Sequence, residues 1–150
     1  MNINKAQKEI FNAMLSGERC HKYEIDEKSV FITPNGFQGY VIPYSQIQIN
    51  LAKIPDMKDL NLQSVVKEEN RCELTKEAYI LEHPKAYCRK LKRGNEYIYF
   101  KEKCMSCFQN PKFYNVHPHQ MIVVTEDYST NRGNEIVGVI LPIRVPNQSI

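Results

Sequence analysis

The chain reads as an α+β fold in which one helix leads into antiparallel strands within a single domain, residues 1–150. Three observations carry this reading. A 3.6-residue apolar period is confined to the start of the chain, a period of two replaces it, and turn residues then recur at short intervals. A length of 150 residues suits one domain and is enough to bury roughly 70% of the unfolded chain's surface. Apolar residues at 42% and charged residues at 25% are ordinary globular values.

Ala6, Ile10, Ala13 and Met14 form one apolar stripe at helical spacing, with Phe11 beside it. Asn4 suits the N-cap, and Gln7 three residues on completes a capping box in which each side chain meets an orphan backbone N–H. Gly17 supplies the left-handed stop. Two β-rich runs follow, 29–33 and 37–42, split by Pro34-Asn35-Gly36, the strongest hairpin signal in the chain. Gln46-Ile47-Gln48-Ile49-Asn50-Leu51 alternates polar and apolar residues, which predicts a sheet edge with one wet face.

Leu60, Leu62, Val65 and Val66 suggest a second helix beginning near Asp59, although the paired β-branched valines weaken it. Further strands are expected at 77–82, 86–91, 96–101, 120–125 and 136–145. Turn signals at His83-Pro84, Arg93-Gly94-Asn95 and Asn131-Arg132-Gly133-Asn134 fall in three of the four gaps between them. Tyr97-Ile98-Tyr99-Phe100 carries apolar bulk on both faces, as a central strand does. Gly39-Tyr40-Val41-Ile42-Pro43 is echoed by Gly138-Val139-Ile140-Leu141-Pro142. The echo is compatible with a duplication, with pseudo-repeat halves 1–55 and 56–150.

The formal net charge of +3 excludes a nucleic-acid polycation. Five cysteines without framework spacing point to free thiols in a reducing cytoplasm. The first residues lack the charged-then-apolar pattern of a secretion signal, and no apolar run approaches the ~18 residues of a membrane span. A cytoplasmic protein without membrane contact is therefore expected.

Two clusters could carry chemistry. Cys104-Met105-Ser106-Cys107 precedes His117-Pro118-His119. A Cys-x2-Cys knuckle with imidazoles from a nearby loop suits a tetrahedral zinc, so Cys104, Cys107, His117 and His119 form a candidate metal set. The competing reading makes the two thiols ordinary buried residues at a strand end. Lys85, Arg89, Lys90, Lys92 and Arg93 form a basic run interleaved with Tyr87, Tyr97 and Tyr99. This arrangement suits phosphate contacts and base stacking, or simply a solvated strand face. No nucleophile elbow, phosphate-cradling glycine loop, dinucleotide fingerprint or His-Glu-x-x-His motif occurs, which leans against an enzyme.

The closing segment Ile136-Val137-Gly138-Val139-Ile140-Leu141-Pro142-Ile143-Arg144-Val145 resembles a known one. From Val139 to the last residue it is similar to the final strand of the bacterial DNA sliding clamp, the processivity β subunit of the replicative polymerase. That strand has the form apolar-apolar-Met-Pro-Met-Arg-apolar, and the turn at 128–135 resembles the variable turn of the clamp's last hairpin. The resemblance implies a DNA clamp-like fold in a stand-alone domain that need not encircle DNA. Lys5 and Lys8 on the first helix would face DNA if a ring formed. Because Pro142 cannot donate to a ladder, the segment is also expected to present a sheet edge where a second copy could dock.

The leading functional expectation is a non-enzymatic clamp-like domain that binds a protein partner or DNA, with self-association through that edge. The alternatives are a small zinc-stabilised nucleic-acid-binding module and an enzyme of unrecognised type.

Overall fold

The helix begins earlier than its apolar stripe suggests. In the structure, a computed structural model that describes residues 1–17, 20–57, 72–83, 86–115, 121–127 and 134–143, α1 spans Ile3–Leu15. Its cap is Asn2 rather than Asn4: the Asn2 side chain accepts from Lys5 N at 3.0 Å, and Asn2 N donates to Cys107 O at 2.8 Å. Ala6, Gln7, Ile10 and Ala13 are the buried positions.

Gln7 does not close a capping box. Its Nε2 donates to Gln46 O at 2.9 Å and its Oε1 accepts from Gln48 N at 2.7 Å. These two bonds explain why 46–51 is not a strand. The backbone groups that would have paired with a neighbour are met by a buried side chain instead. The segment joins two 3-10 turns, Tyr44–Gln46 and Leu51–Lys53.

Among the described residues nine strands form one antiparallel sheet. They are β1 (His21–Glu24), β2 (Ser29–Thr33), β3 (Gln38–Pro43), β4 (Cys72–His83), β5 (Ala86–Arg93), β6 (Glu96–Lys101), β7 (Pro111–Asn115), β8 (Ile122–Asp127) and β9 (Asn134–Ile140). Their order is β1-β2-β3-β9-β8-β7-β4-β5-β6. One helix and this sheet satisfy the α+β expectation at a coarse level, with most of the described chain in strands. The helix expected near Asp59 lies outside the described residues.

The β2–β3 hairpin forms where its turn chemistry predicts. Gly36 takes φ 78°, and Asn35 Oδ1 accepts from both Phe37 N and Gln38 N. Strands β1 and β7 carry no signal that separates them from loops. The first is short, and the second opens on a proline, tolerated at a strand's first residue.

Two strand placements differ from expectation. Strand β6 lies at the end of the sheet, not at its centre. Its apolar bulk on both faces is nonetheless accounted for. Ile98 and Phe100 enter the main core, while Tyr99 is met by the chain returning beyond β9, where Ile143 N donates to Tyr99 O at 2.8 Å.

Strand β9, conversely, is no edge. It runs between β3 and β8, which together flank Gly138, Val139 and Ile140 on both sides, so the expected docking edge is taken there; Arg144 and Val145 lie outside the described residues. Pro142 falls between Leu141, whose N donates to Phe37 O at 2.8 Å, and Ile143, which has moved to β6. The missing N–H coincides with the handover from one neighbour to the next and leaves nothing unpaired.

At the other end of the sheet, Lys22 N donates to Pro55 O and Met57 N to Lys22 O, which covers β1. Both sheet ends are thus capped by returning chain, the usual protection against edge-to-edge pairing.

The main core lies on the α1 side of the curled sheet. Ile10, Ile32, Tyr40, Ile42, Leu91, Phe100, Phe113, Ile122 and Ile140 are among its fully buried members. A second, smaller cluster around Phe31 and Val139 occupies the outer face, because alternate strand residues point to opposite faces. Glu126 lies in the interior, paired with the Met1 ammonium and accepting from Gln109 N at 2.7 Å.

Candidate functional site

The outer face carries an apolar groove. Phe31, Phe37, Met57, Met121, Val139 and Leu141 line a cavity of about 280 Å3 over Gly39. Backbone geometry explains the concavity: a Cβ on Gly39 would fall inside the Phe31 ring, so only glycine lets that ring lie flat against β3 as the groove floor. The polar residues at the wall are satisfied internally. Thr33 Oγ1 donates to Gln38 O and accepts from Gly36 N, and Gln38 Nε2 donates to Cys104 O. Phe37 and Leu141 stand at the rim, 42% and 41% exposed. Lys101 Nζ lies 4.0 Å from the centroid of the Phe37 ring, a cation–π contact that positions a charge beside an apolar wall.

The basic run on β5 is divided by the strand's own alternation. Arg89 and Leu91 face Phe100 and Ile98 across the ladder, while Lys90 and Lys92 face Tyr99 and Tyr97. Arg89 and Arg93 therefore share the Leu91 face, and the two lysines share the other. The Arg89 guanidinium is engaged by both oxygens of Glu102, with Nε to Oε2 at 2.7 Å. Lys90 Nζ lies 3.8 Å from the Tyr97 ring centroid, and Lys92 is exposed. Lys85 lies outside the described residues.

Cys104 and Cys107 are each 1% exposed within the main core. Burial raises both thiols. Cys104 is pushed up to about 11, with Lys103 and Lys101 pulling against burial and Glu9 pushing with it. Cys107 rises chiefly through burial. Its Sγ donates to Glu9 Oε2 at 3.7 Å, and Tyr40 Oη donates to the same oxygen at 2.8 Å. Tyr40 is raised by burial and then by its Cys107 and Glu9 neighbours. These groups hold their protons near neutral pH, the reverse of what a thiolate nucleophile needs. His117 and His119 lie outside the described residues. Among the described residues no group of three His, Cys, Asp or Glu side chains could hold a metal ion, and no helix is long and apolar enough to cross a membrane.

Glu9 links this buried trio to a second, polar groove. Lys5, Lys8, Glu9, Asn12, Ala13 and Ser16 on α1 form one wall, with Pro34, Asn35 and Lys103 opposite, around a volume of about 620 Å3. Neither groove was legible as a site in the sequence. The apolar one is assembled from five separate segments, and only the solvent-facing apolar residues beside turns, Phe37 and Leu141, hint at it. Comparison with protein families, with curated proteins and with solved structures finds no match for this chain.

Proposed function

We propose that this is a non-enzymatic binding domain whose outer-face groove takes an apolar anchor side chain of a protein partner. The observation that carries the reading is the groove itself, formed by two phenylalanines, two methionines, a valine and a leucine, with no unpaired buried polar side chain among the described residues of its wall. At about 280 Å3 it falls just below the roughly 300–1,000 Å3 of small-molecule and cofactor sites. It suits one or two side chains of a peptide, the scale of an interface hot spot. The paired methionines add adaptability, since flexible thioethers re-pack around different anchors. A clamp-like relationship is a proposal resting on the closing strand alone, and the divided basic residues of β5 lend the DNA reading no continuous charged face.

The test is selection of random dodecapeptides displayed on phage, followed by NMR titration of the 15N-labelled protein with the winners. Peptides with an aromatic or aliphatic anchor should emerge and shift the amides of Gly39, Val139 and Leu141. Leu141→Asp places a charge at the exposed rim without touching the core, and it should weaken binding by about tenfold or more, as loss of a hot-spot contact does. Equal binding by the variant, or shifts confined to other surfaces, would refute the assignment.

A further inference from the structure

The groove along α1 has the chemistry of an anion site. Lys5, Lys8 and Lys103 converge on it, joined by the amides of Asn12 and Asn35. Among the described residues no carboxylate lies within ion-pair distance of these three lysines; Lys5 Nζ donates to a backbone carbonyl, that of Ser106. Glu9, the one acid among the described lining residues, uses Oε2 to accept from Tyr40 and Cys107. Three ammonium groups against one carboxylate give the described lining a net charge of +2.

We propose that this groove holds the phosphate backbone of a single-stranded nucleic acid. Lys5, Lys8, Asn12 and Ser16 follow one face of α1. The eleven steps from Lys5 to Ser16 run about 16.5 Å at the helical rise of 1.5 Å per residue. One strand of a duplex carries a phosphate per roughly 3.4 Å of helix axis, so about five fall within that length. Lysine ammoniums act as point charges for phosphate oxygens, and among the described lining residues there is no arginine fork for reading base edges. Among the described residues that line it there is no aromatic ring, so recognition there rests on the backbone and is independent of sequence. Lys5 and Lys8 come from α1 and Lys103 from the turn after β6, so one strand laid in the groove meets cations from two separate segments. This site is separate from the apolar groove and stands or falls without it.

Fluorescence anisotropy with labelled 20-nucleotide oligo-dT at low salt tests the proposal on the full chain. Three lysine–phosphate contacts on a single strand give a slope of about −2 in log K against log salt, so affinity should fall about fifteenfold between 50 and 200 mM. Lys8→Gln and Lys103→Gln alter exposed side chains, and each should remove about a third of that slope. Glu9→Gln keeps an acceptor for Tyr40 but deletes the opposing charge, and it should tighten binding by about three- to fivefold. A purely structural role for Glu9 predicts no such gain. Absence of oligo-dT binding at low salt, or affinities unchanged in both lysine variants, would overturn the proposal. So would tripolyphosphate binding more tightly than the oligonucleotide, because the strand assignment requires contacts along the groove.

Discussion

Replacing Gly39 with alanine tests whether the groove floor is built as described. Gly39 sits in β3 without a positive φ, so alanine meets no backbone strain there. On that ground alone it would stabilise, since a restricted unfolded chain is worth about 0.4–1 kcal/mol. The opposing term is larger. The new Cβ would fall inside the Phe31 ring, which is 4% exposed and packed against Val139. Forcing extra volume into a packed site costs about 1–3 kcal/mol. The overpacking term wins, and Gly39→Ala should destabilise by about 1–2 kcal/mol, seen as a fall in Tm of about 2–8 °C for a chain of this size.

Phe31→Leu separates the mechanism from general fragility. The clash involves only the distal ring atoms of Phe31, which leucine lacks. On its own Phe31→Leu loses buried area and destabilises; combined with Gly39→Ala it should recover most of the glycine penalty. A coupling energy of about 1 kcal/mol or more, measured by urea denaturation of the four proteins, is the expected result. Gly39→Ala within 0.5 kcal/mol of the parent protein, or a strictly additive double variant, would refute the reasoning.

Other perturbations separate named contacts from bystanders. Gln7→Leu keeps the buried volume but leaves Gln46 O and Gln48 N without their partner, and at about 1–3 kcal/mol for each unmet group the loss in urea denaturation should reach about 2–4 kcal/mol. Asn2→Ala should cost about 1 kcal/mol as a lost cap, whereas Asn4→Ala, exposed in the first turn, should be nearly neutral. Alkylation of the native protein at pH 8 followed by mass mapping should modify Cys72 far faster than Cys20, Cys88, Cys104 or Cys107, because it is the exposed thiol. Cys104 has its thiol raised from 9.0 to about 11 in the folded chain; the unfolded chain therefore loses that proton first as pH rises. The stability tied to the protonated thiol should be intact below pH 9 and drain away between about 9 and 11. Cys104→Ala should flatten that limb of the stability–pH curve.

What the sequence made legible follows the range of the forces involved. The α1 stripe, the Pro34-Asn35-Gly36 hairpin and the strands at 77–82, 86–91, 96–101 and 120–125 rest on local periodicity and turn chemistry, and strands β4, β5, β6 and β8 cover most of those positions. The misplaced strands come from partners distant in sequence, whereas the shift of the helix cap from Asn4 to Asn2 is local. Gln46 to Leu51 alternates like a strand, yet Gln7, 39 residues before Gln46, takes its backbone bonds. Tyr97 to Phe100 has the two-sided bulk of a central strand, yet Ile143 supplies the cover at a sheet end. Pro142 marks an edge in any single-strand reading, and only the change of neighbours between Leu141 and Ile143 removes that meaning. Neither groove had a local signature, because each joins walls from segments far apart along the chain.

The echo between Gly39-Tyr40-Val41-Ile42-Pro43 and Gly138-Val139-Ile140-Leu141-Pro142 has a packing account that needs no common origin. The two segments are adjacent antiparallel strands, with Gly39 opposite Val139 and Tyr40 opposite Gly138. Each glycine yields its Cβ space to a phenylalanine, Gly39 to Phe31 on the outer face and Gly138 to Phe108 on the core face. Phe108 then meets Tyr40 with ring centroids 5.8 Å apart. Two rings too large for a regular sheet surface are thus accommodated at neighbouring positions on opposite faces, and each strand needs one glycine within an apolar run. The prolines also have separate reasons: Pro43 ends β3 where the first 3-10 turn begins, and Pro142 sits at the handover to β6. The shared pattern is what this one junction requires of its two strands, and the same junction supplies the floor of the apolar groove.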